Sequence, residues 1–212
     1  MPMGITLYDY WRSSAAYRLR ITLNHMGLDY DAIPVDLLTG ANRGAENLAR
    51  NPQGLVPTLV IDDHTFTQSL AIIEYLNETR HGDLLPATAL GRARVRAISY
   101  AIAMEIHAVC NLSVAKFATD NSGGGITMKD WMQMFIAKGL AAVERMLDAP
   151  QTGRFCHGDR MSIADICLVP QIFNAQRWEV DTSAMPRINR IIAELESIKA
   201  VADAHPDMHQ PA

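Results

Sequence analysis

Along the first eighty residues, apolar positions fall in short runs separated by turns. Ile5-Thr6-Leu7-Tyr8, with its β-branched and aromatic content, predicts a buried first strand. Leu19, Leu23 and Met26 recur at helical spacing, so this strand feeds a helix across the turn Trp11-Arg12-Ser13-Ser14. Tyr30 to Val35 predicts a second strand, with Pro34 marking an edge or a strand end. Asn42 to Arg50 is polar and weakly helical. Asn51-Pro52-Gln53-Gly54 is a turn running into a third strand that ends at Ile61, and Asp62-Asp63 supplies a hairpin turn. His64 to Gln68 alternates as a fourth strand, and Ser69 caps a helix through Leu76. The order βαβαββα predicts an α/β unit.

The pattern changes after Gly82. Arg92 to Phe117 reads as one long helix striped by Val95, Ile98, Ile102, Ile106 and Val109. Asn121-Ser122-Gly123-Gly124-Gly125 breaks it, and Met128 to Leu147 forms a second amphipathic helix. Ser162-Ile163-Ala164-Asp165 is a capping box, with Met161 and Ile166 as its apolar staple. It opens a nearly all-apolar helix that belongs in the core, which makes Asp165 structural. Pro186 to Ile198 gives the last amphipathic helix, and the tail from Ala204 is expected to be loose. Residues 1–84 therefore form a small α/β domain and residues 88–212 an all-helical one.

Composition narrows the function classes. A net charge of −4 argues against general nucleic-acid binding, which needs a basic surface. No apolar run approaches the ~20 residues that span a bilayer, and the N-terminus lacks a basic region and an apolar signal core. The three cysteines, Cys110, Cys156 and Cys167, form no CxxC pair and cannot all pair with one another. That pattern suits a reducing compartment, so a cytoplasmic location is expected, without structural disulfides or a zinc cage. Cys156 and Cys167 have no basic neighbour to activate them and read as packing residues.

Three corners of the first domain carry candidate chemistry. Ser13 or Ser14 can cap the helix that follows. The same position, with unpaired N–H groups and the positive end of a helix, would equally hold a thiolate. Ala15 and Ala16 stand where a cysteine would be expected, so any thiolate used here arrives with a ligand. Val56-Pro57 precedes a strand; a cis bond there would turn the Val56 backbone toward an extended peptide ligand. Gln68-Ser69 sits where a strand meets a helix N-terminus, suited either to a cap or to a carboxylate. All three corners fall at one end of the sheet in a βαβαββα unit. Together they describe a site for a small, anionic, thiol-bearing peptide, and glutathione fits.

On these residues the sequence resembles the zeta-class glutathione transferases, the family of maleylacetoacetate isomerases, over nearly its whole length. The motifs are WRSSAAYRLRI, NPQGLVPTLVID and QSLAIIEYLNETR, followed by IHAVCNLSV, GDRMSIADICLVPQ and NAQRWEVD. The resemblance implies a thioredoxin-like N-terminal domain, an all-α C-terminal domain and a homodimer. It assigns Ser13 and Ser14 to the glutathione thiolate, Asn42 to the glycine end of glutathione, Val56 to backbone contacts, and Gln68 with Ser69 to the γ-glutamyl carboxylate. It places His107, Asn111 and Arg177 on the substrate side, His107 also within reach of glutathione, and Arg12 at the mouth. Read from the residues alone, His107 could equally face solvent, Asn111 could bond backbone, and Arg177 could stack on Trp178. Two positions depart from the family pattern: Ala15 replaces its usual cysteine, and Cys110 stands where many relatives carry glutamine.

The implied activity is glutathione-dependent cis–trans isomerisation of maleylacetoacetate in aromatic amino-acid breakdown, with glutathione as cofactor and no metal. The rival within the class is maleylpyruvate isomerisation. Relatives of that type can carry extra arginine where this chain has Leu112 and Ser113. The same residues would also serve a general transferase that conjugates electrophiles, or a protein that binds glutathione without turnover.

Overall fold

The computed structural model describes residues 4–211, and the chain divides into two compact units. One runs to Asp83 and includes the residues from Ser197 onward; the other is Leu84–Glu196.

The first unit is built on a four-stranded sheet of β1 (Ile5–Asp9), β2 (Tyr30–Pro34), β3 (Thr58–Ile61) and β4 (His64–Thr67), in the order β2-β1-β3-β4. β1 and β2 are parallel, so they need a crossover, and α1 (Ser14–His25) supplies it. β3 runs antiparallel to β1 and to β4. Its hairpin turns at Asp62 and Asp63, which both take positive φ (54° and 60°), as a two-residue hairpin requires. Pro34 ends β2 on the sheet edge, where its missing N–H costs no ladder bond. α2 (Ala45–Arg50) precedes β3, and α3 (Ser69–Thr79) follows β4. Leu7, Leu19, Ile21, Leu23, Leu59, Ile72, Ile73 and Leu76 are fully buried, so the period-2 strands and period-3.6 helices meet in one core.

The C-terminal residues correct the expectation of a loose tail. A short helix, Lys199–Asp203, packs on α1, and a 3-10 turn follows at Pro206–His209. Val201, Ala204 and Pro206 are buried. Two donors on α1 explain the attachment: Arg20 Nε donates to the Ala204 carbonyl at 3.1 Å, and Asn24 Nδ2 to that of Ala200 at 3.2 Å. A donor inside a protein must find an acceptor, and this segment provides two.

The second unit holds α4 (Ala89–Tyr100), α5 (Leu112–Asp120), α6 (Met128–Met146), α7 (Ile163–Arg177) and α8 (Pro186–Glu196). The single helix expected from Arg92 to Phe117 is instead three pieces. After α4 the chain widens into a π-helical segment, Ala101–Ile106, closed by the His107 N–H on the Ile102 carbonyl at 2.9 Å. Asn111 then turns to extended backbone, and its side chain accepts the Ser113 N–H, starting α5 afresh. The stripe itself is real, since Val95, Ile98, Ile102 and Ile106 are all at most 1% exposed. What the stripe does not reveal is the extra residue per turn. Ile106 lies against Gly139, where any Cβ would collide with its side chain.

At the start of α7 the Asp165 carboxylate accepts the Ser162 N–H and hydroxyl at 2.8 and 2.7 Å, and the Cys156 N–H at 2.8 Å. Burial pushes the Asp165 carboxyl up from its ordinary value, and these donors work against that rise. Asp165 is thus the structural residue that its capping-box pattern predicts. Among the described residues no helix is long and apolar enough to cross a membrane.

Candidate active site

The strand register brings the three corners together. Tyr8 near the end of β1 faces Thr58 at the start of β3, and Thr58 faces Thr67 at the end of β4. The turn leaving β1, the Val56-Pro57 entry to β3 and the Gln68-Ser69 exit from β4 therefore emerge at one end of the sheet.

At the first corner the Ser13 N–H bonds the Tyr10 carbonyl at 2.8 Å. Its Oγ accepts the Ala16 N–H at 3.2 Å, as the N-cap of α1. Ser13 is half-buried, whereas Ser14, the first residue of the helix, is only 8% exposed. The capping bond uses a lone pair of the Ser13 hydroxyl and leaves its hydrogen to donate. Capping and thiolate binding, which the sequence leaves open as competing roles, are therefore compatible at this residue. Arg12 donates to the Tyr10 hydroxyl at 3.0 Å and lies 4.7 Å over the Trp11 ring.

At the third corner Gln68 takes φ 67° and ψ 107°, a region that non-glycine residues rarely adopt. Its side-chain amide donates to Gln53 Oε1 at 2.7 Å. Such strain persists where surrounding structure imposes it, and it clusters at ligand clamps. Ser69 is the first residue of α3 and not the cap that the sequence suggests: Gln68 holds the cap position without a side-chain bond, and the Ser69 hydroxyl, 6% exposed, instead accepts from Arg18 Nη1 at 3.2 Å. A helix N-terminus with a guanidinium behind its first hydroxyl suits a carboxylate. The second corner holds Val56 half-buried, and the Val56-Pro57 peptide is cis. Asn42 lies in the 3-10 turn Ala41–Arg43; its Nδ2 donates to the Gly54 carbonyl at 2.6 Å, and its carbonyl accepts from Asn47 at 2.8 Å. It ties this turn to the loop that leads into β3.

Sequence reasoning misses two residues of these corners, Arg18 and Gln53. For Arg18 a signal exists: Arg18 and Arg20 interrupt the apolar helix, and they are 2% and 0% exposed. Charges in a buried run must be paired, so they mark a polar device within the core. Gln53 sits in an exposed polar turn and carries no such signal.

The remaining candidates belong to the helical unit. His107 is half-buried and begins the turn that follows the π-helical segment. Asn111 ends that turn as the cap of α5, accepting also the Ser113 hydroxyl at 2.9 Å. Arg177 is the exposed last residue of α7, its guanidinium 5.2 Å from the Trp178 ring centroid. α6 braces both segments, since Trp131 Nε1 donates to the Val109 carbonyl at 3.1 Å and Gln133 to that of Trp178 at 2.9 Å. All three cysteines are free and buried; burial pushes the Cys110 thiol up to about 11 and that of Cys156 well above its ordinary value. Neither is a nucleophile in that state. Among the described residues no group of three or more His, Cys, Asp or Glu is placed to hold a metal.

Comparison with known proteins identifies the family. The family model for the glutathione S-transferase N-terminal domain matches residues 3–78. A maleylacetoacetate isomerase of Rhizobium meliloti is 58% identical over 97% of each chain. A maleylacetoacetate isomerase structure from Methylobacterium extorquens, with bound malonate and glutathione, superposes with TM-score 0.91 at 39% identity, covering 97% of this chain and 98% of that one. A holo maleylpyruvate isomerase, described as a bacterial zeta-class glutathione transferase, gives TM-score 0.91 at 36% identity with the same coverage.

Proposed function

Because the chain belongs to the glutathione transferase family, in the zeta class that includes the maleylacetoacetate isomerases, we propose that it isomerises maleylacetoacetate to fumarylacetoacetate with glutathione as cofactor. The observation that carries the proposal is the convergence, at one end of the sheet, of a capping serine with a free hydroxyl hydrogen, the Val56-Pro57 entry to β3 and a strained Gln-Ser clamp.

In this reading Gln68 and Ser69 hold the γ-glutamyl carboxylate, aided by the α3 N-terminus and by Arg18 behind Ser69. Val56 pairs with the glutathione backbone, and Asn42 reaches its glycine end. Ser13 donates to the thiolate while keeping its capping bond, and Ser14 supports it. The thiolate adds to the carbon–carbon double bond of the cis-diketo acid, and the electron pair moves to the conjugated carbonyl as an enolate. The former double bond is now single and rotates. The enolate collapses, the carbon–sulfur bond breaks, and the trans isomer leaves with the thiolate regenerated. No atom is gained or lost. Arg177 and Arg12 clamp substrate carboxylates, which guanidinium suits through its paired donors. His107 and Asn111 line the substrate side, with His107 also in reach of glutathione, and donors placed there stabilise the enolate.

Maleylpyruvate is the second substrate to weigh, because the holo maleylpyruvate isomerase superposes as well as the maleylacetoacetate isomerase does. The 58% identity to a curated maleylacetoacetate isomerase favours the first reading. Parallel assays of both substrates decide it: a large kcat/KM preference for maleylpyruvate overturns the assignment. Fast conjugation of aryl halides with negligible isomerisation would instead favour a general transferase, and glutathione binding without turnover a non-catalytic role. The same proposal includes a cytoplasmic homodimer. Free buried cysteines fit a reducing compartment, and exposed Leu90, Tyr100 and Met104 offer an apolar face for a second copy. Light scattering on the purified chain measures the oligomeric state.

A further inference from the structure

The one fully buried arginine among the described residues, Arg20, is spent on three separate acceptors. Its Nη1 donates to Asp9 Oδ2 at 2.6 Å, its Nη2 to the Trp11 carbonyl at 2.9 Å and its Nε to the Ala204 carbonyl at 3.1 Å. These acceptors belong to the end of β1, to the turn that carries Ser13, and to the C-terminal segment. Asp9 is itself 5% exposed, and its carbonyl accepts the Val35 N–H at 2.7 Å, which fixes the exit from β2. The guanidinium also lies 5.3 Å from the centroid of the Tyr17 ring, whose edge meets His205 at 6.2 Å.

A buried ion pair is a costly way to stabilise a core, and apolar residues of similar size often do as well. A planar, forked donor group is instead suited to holding several acceptors in one fixed arrangement. The arrangement here fixes the Trp11-Arg12 peptide from the core side. Ser13 is next along the chain, and its own N–H is bonded back to Tyr10. The Ser13 turn is thereby held both by its own hydrogen bond and by a clamp anchored on the C-terminal segment.

We infer that Arg20 is a positioning residue, which couples the docked C-terminal segment to the turn carrying Ser13 and so sets the geometry that receives the glutathione sulfur. It touches neither substrate nor cofactor. The inference rests on the reading of Ser13 as the thiolate donor, and it extends the working site to residues 197–209, to which no chemistry is otherwise assigned. A donor displaced by a fraction of an ångström loses much of its effect on the reacting atom, and misplacement of 1 Å can cost about 10²-fold.

The test uses two full-length variants. Arg20→Lys retains a cation against Asp9 but replaces the planar fork, whose three nitrogens each meet a different acceptor, with one compact ammonium. Ala204→Leu leaves Arg20 and Asp9 in place and pushes the fully buried Ala204 carbonyl away from the clamp. Thiolate absorbance of bound glutathione is titrated against pH, and kcat and KM are measured with the cis-diketo acid. Both variants should raise the bound thiol's pKa and lower kcat by about tenfold, leaving KM for the diketo acid unchanged. The Ser13 and Ala16 amide resonances of the ligand-free chain should shift in both, a readout that does not depend on the assigned reaction. Folded variants that lose only thermal stability, with wild-type thiol titration, kcat and amide shifts, overturn the inference. Should Arg20→Lys fail to fold, Ala204→Leu decides the matter by the same readings. A wild-type chain that binds glutathione without isomerising either acid instead refutes the proposed function, and the amide shifts still decide the clamp.

Discussion

Replacing Ser13 separates two jobs that one hydroxyl performs. Its Oγ accepts the Ala16 N–H at 3.2 Å, so Ser13→Ala removes the cap of α1 and costs about 1 kcal/mol of stability. For a chain of this size that lowers Tm by roughly 2–4 °C. Glycine at a cap costs only a few tenths of a kcal/mol relative to serine, so Ser13→Gly should leave Tm nearly unchanged. Both variants lose the hydroxyl hydrogen, and loss of one positioned donor typically lowers kcat by about 10²–10³-fold. The two should therefore be equally impaired in kcat and unequally in stability. Glutathione affinity should change little, because the carboxylate clamp at Gln68 and Ser69 is intact. Steady-state kinetics, calorimetric glutathione titration and thermal melts measure the three quantities. If Ser13→Gly retains wild-type kcat, Ser13 is a cap alone and the thiolate donor lies elsewhere, Ser14 being the next candidate. If kcat falls only in Ser13→Ala, the loss comes from fraying of α1 and the mechanistic assignment is wrong.

Arg177→Ala removes a carboxylate clamp exposed at the end of α7; KM for the diketo acid should rise about tenfold with glutathione affinity unchanged, and a wild-type KM would return Arg177 to stacking on Trp178. Gln171 is fully buried in α7 with neither Oε1 nor Nε2 partnered within the protein, so Gln171→Met should leave stability unchanged or raise it by about 1–2 kcal/mol; a loss of similar size in chemical denaturation would show that the amide is satisfied through an internal water. His209 is held below its ordinary pKa by burial, against the opposing effect of its bond to the Asp203 carbonyl, with the Arg20 charge adding to the fall and the Asp9 charge opposing it. A depressed histidine binds fewer protons folded than unfolded, so its contribution is present above about pH 6.5 and is lost as pH falls from there through the folded value. His209→Gln should flatten stability between about pH 7 and 5 relative to wild type, and unchanged acid sensitivity would exclude His209 as its source.

Much of this molecule is legible in its order of residues because the responsible forces act within a few positions. The four strands, the cap at Ser13, the hairpin at Asp62-Asp63 and the Asp165 capping box follow from periodicity and short-range hydrogen bonding. The three corners are legible too, since the element order fixes which strand ends share an edge of the sheet. What stays hidden depends on partners far away in sequence. Arg18 meets Ser69 51 positions on, and Arg20 meets Ala204 184 positions on; only folding supplies acceptors that make it tolerable to bury either charge. The tail reads as loose because its attachment lies in donors on α1 rather than in its own composition. The helix from Arg92 reads as continuous because an apolar stripe tolerates one extra residue per turn. Its widening at Ala101–Ile106, against a Gly139 that admits the Ile106 side chain, is a packing event that no local pattern encodes. Gln68 is the sharpest case: a residue with an ordinary side chain takes a backbone conformation that its own preferences oppose, and the sheet, α3 and Gln53 together hold it there.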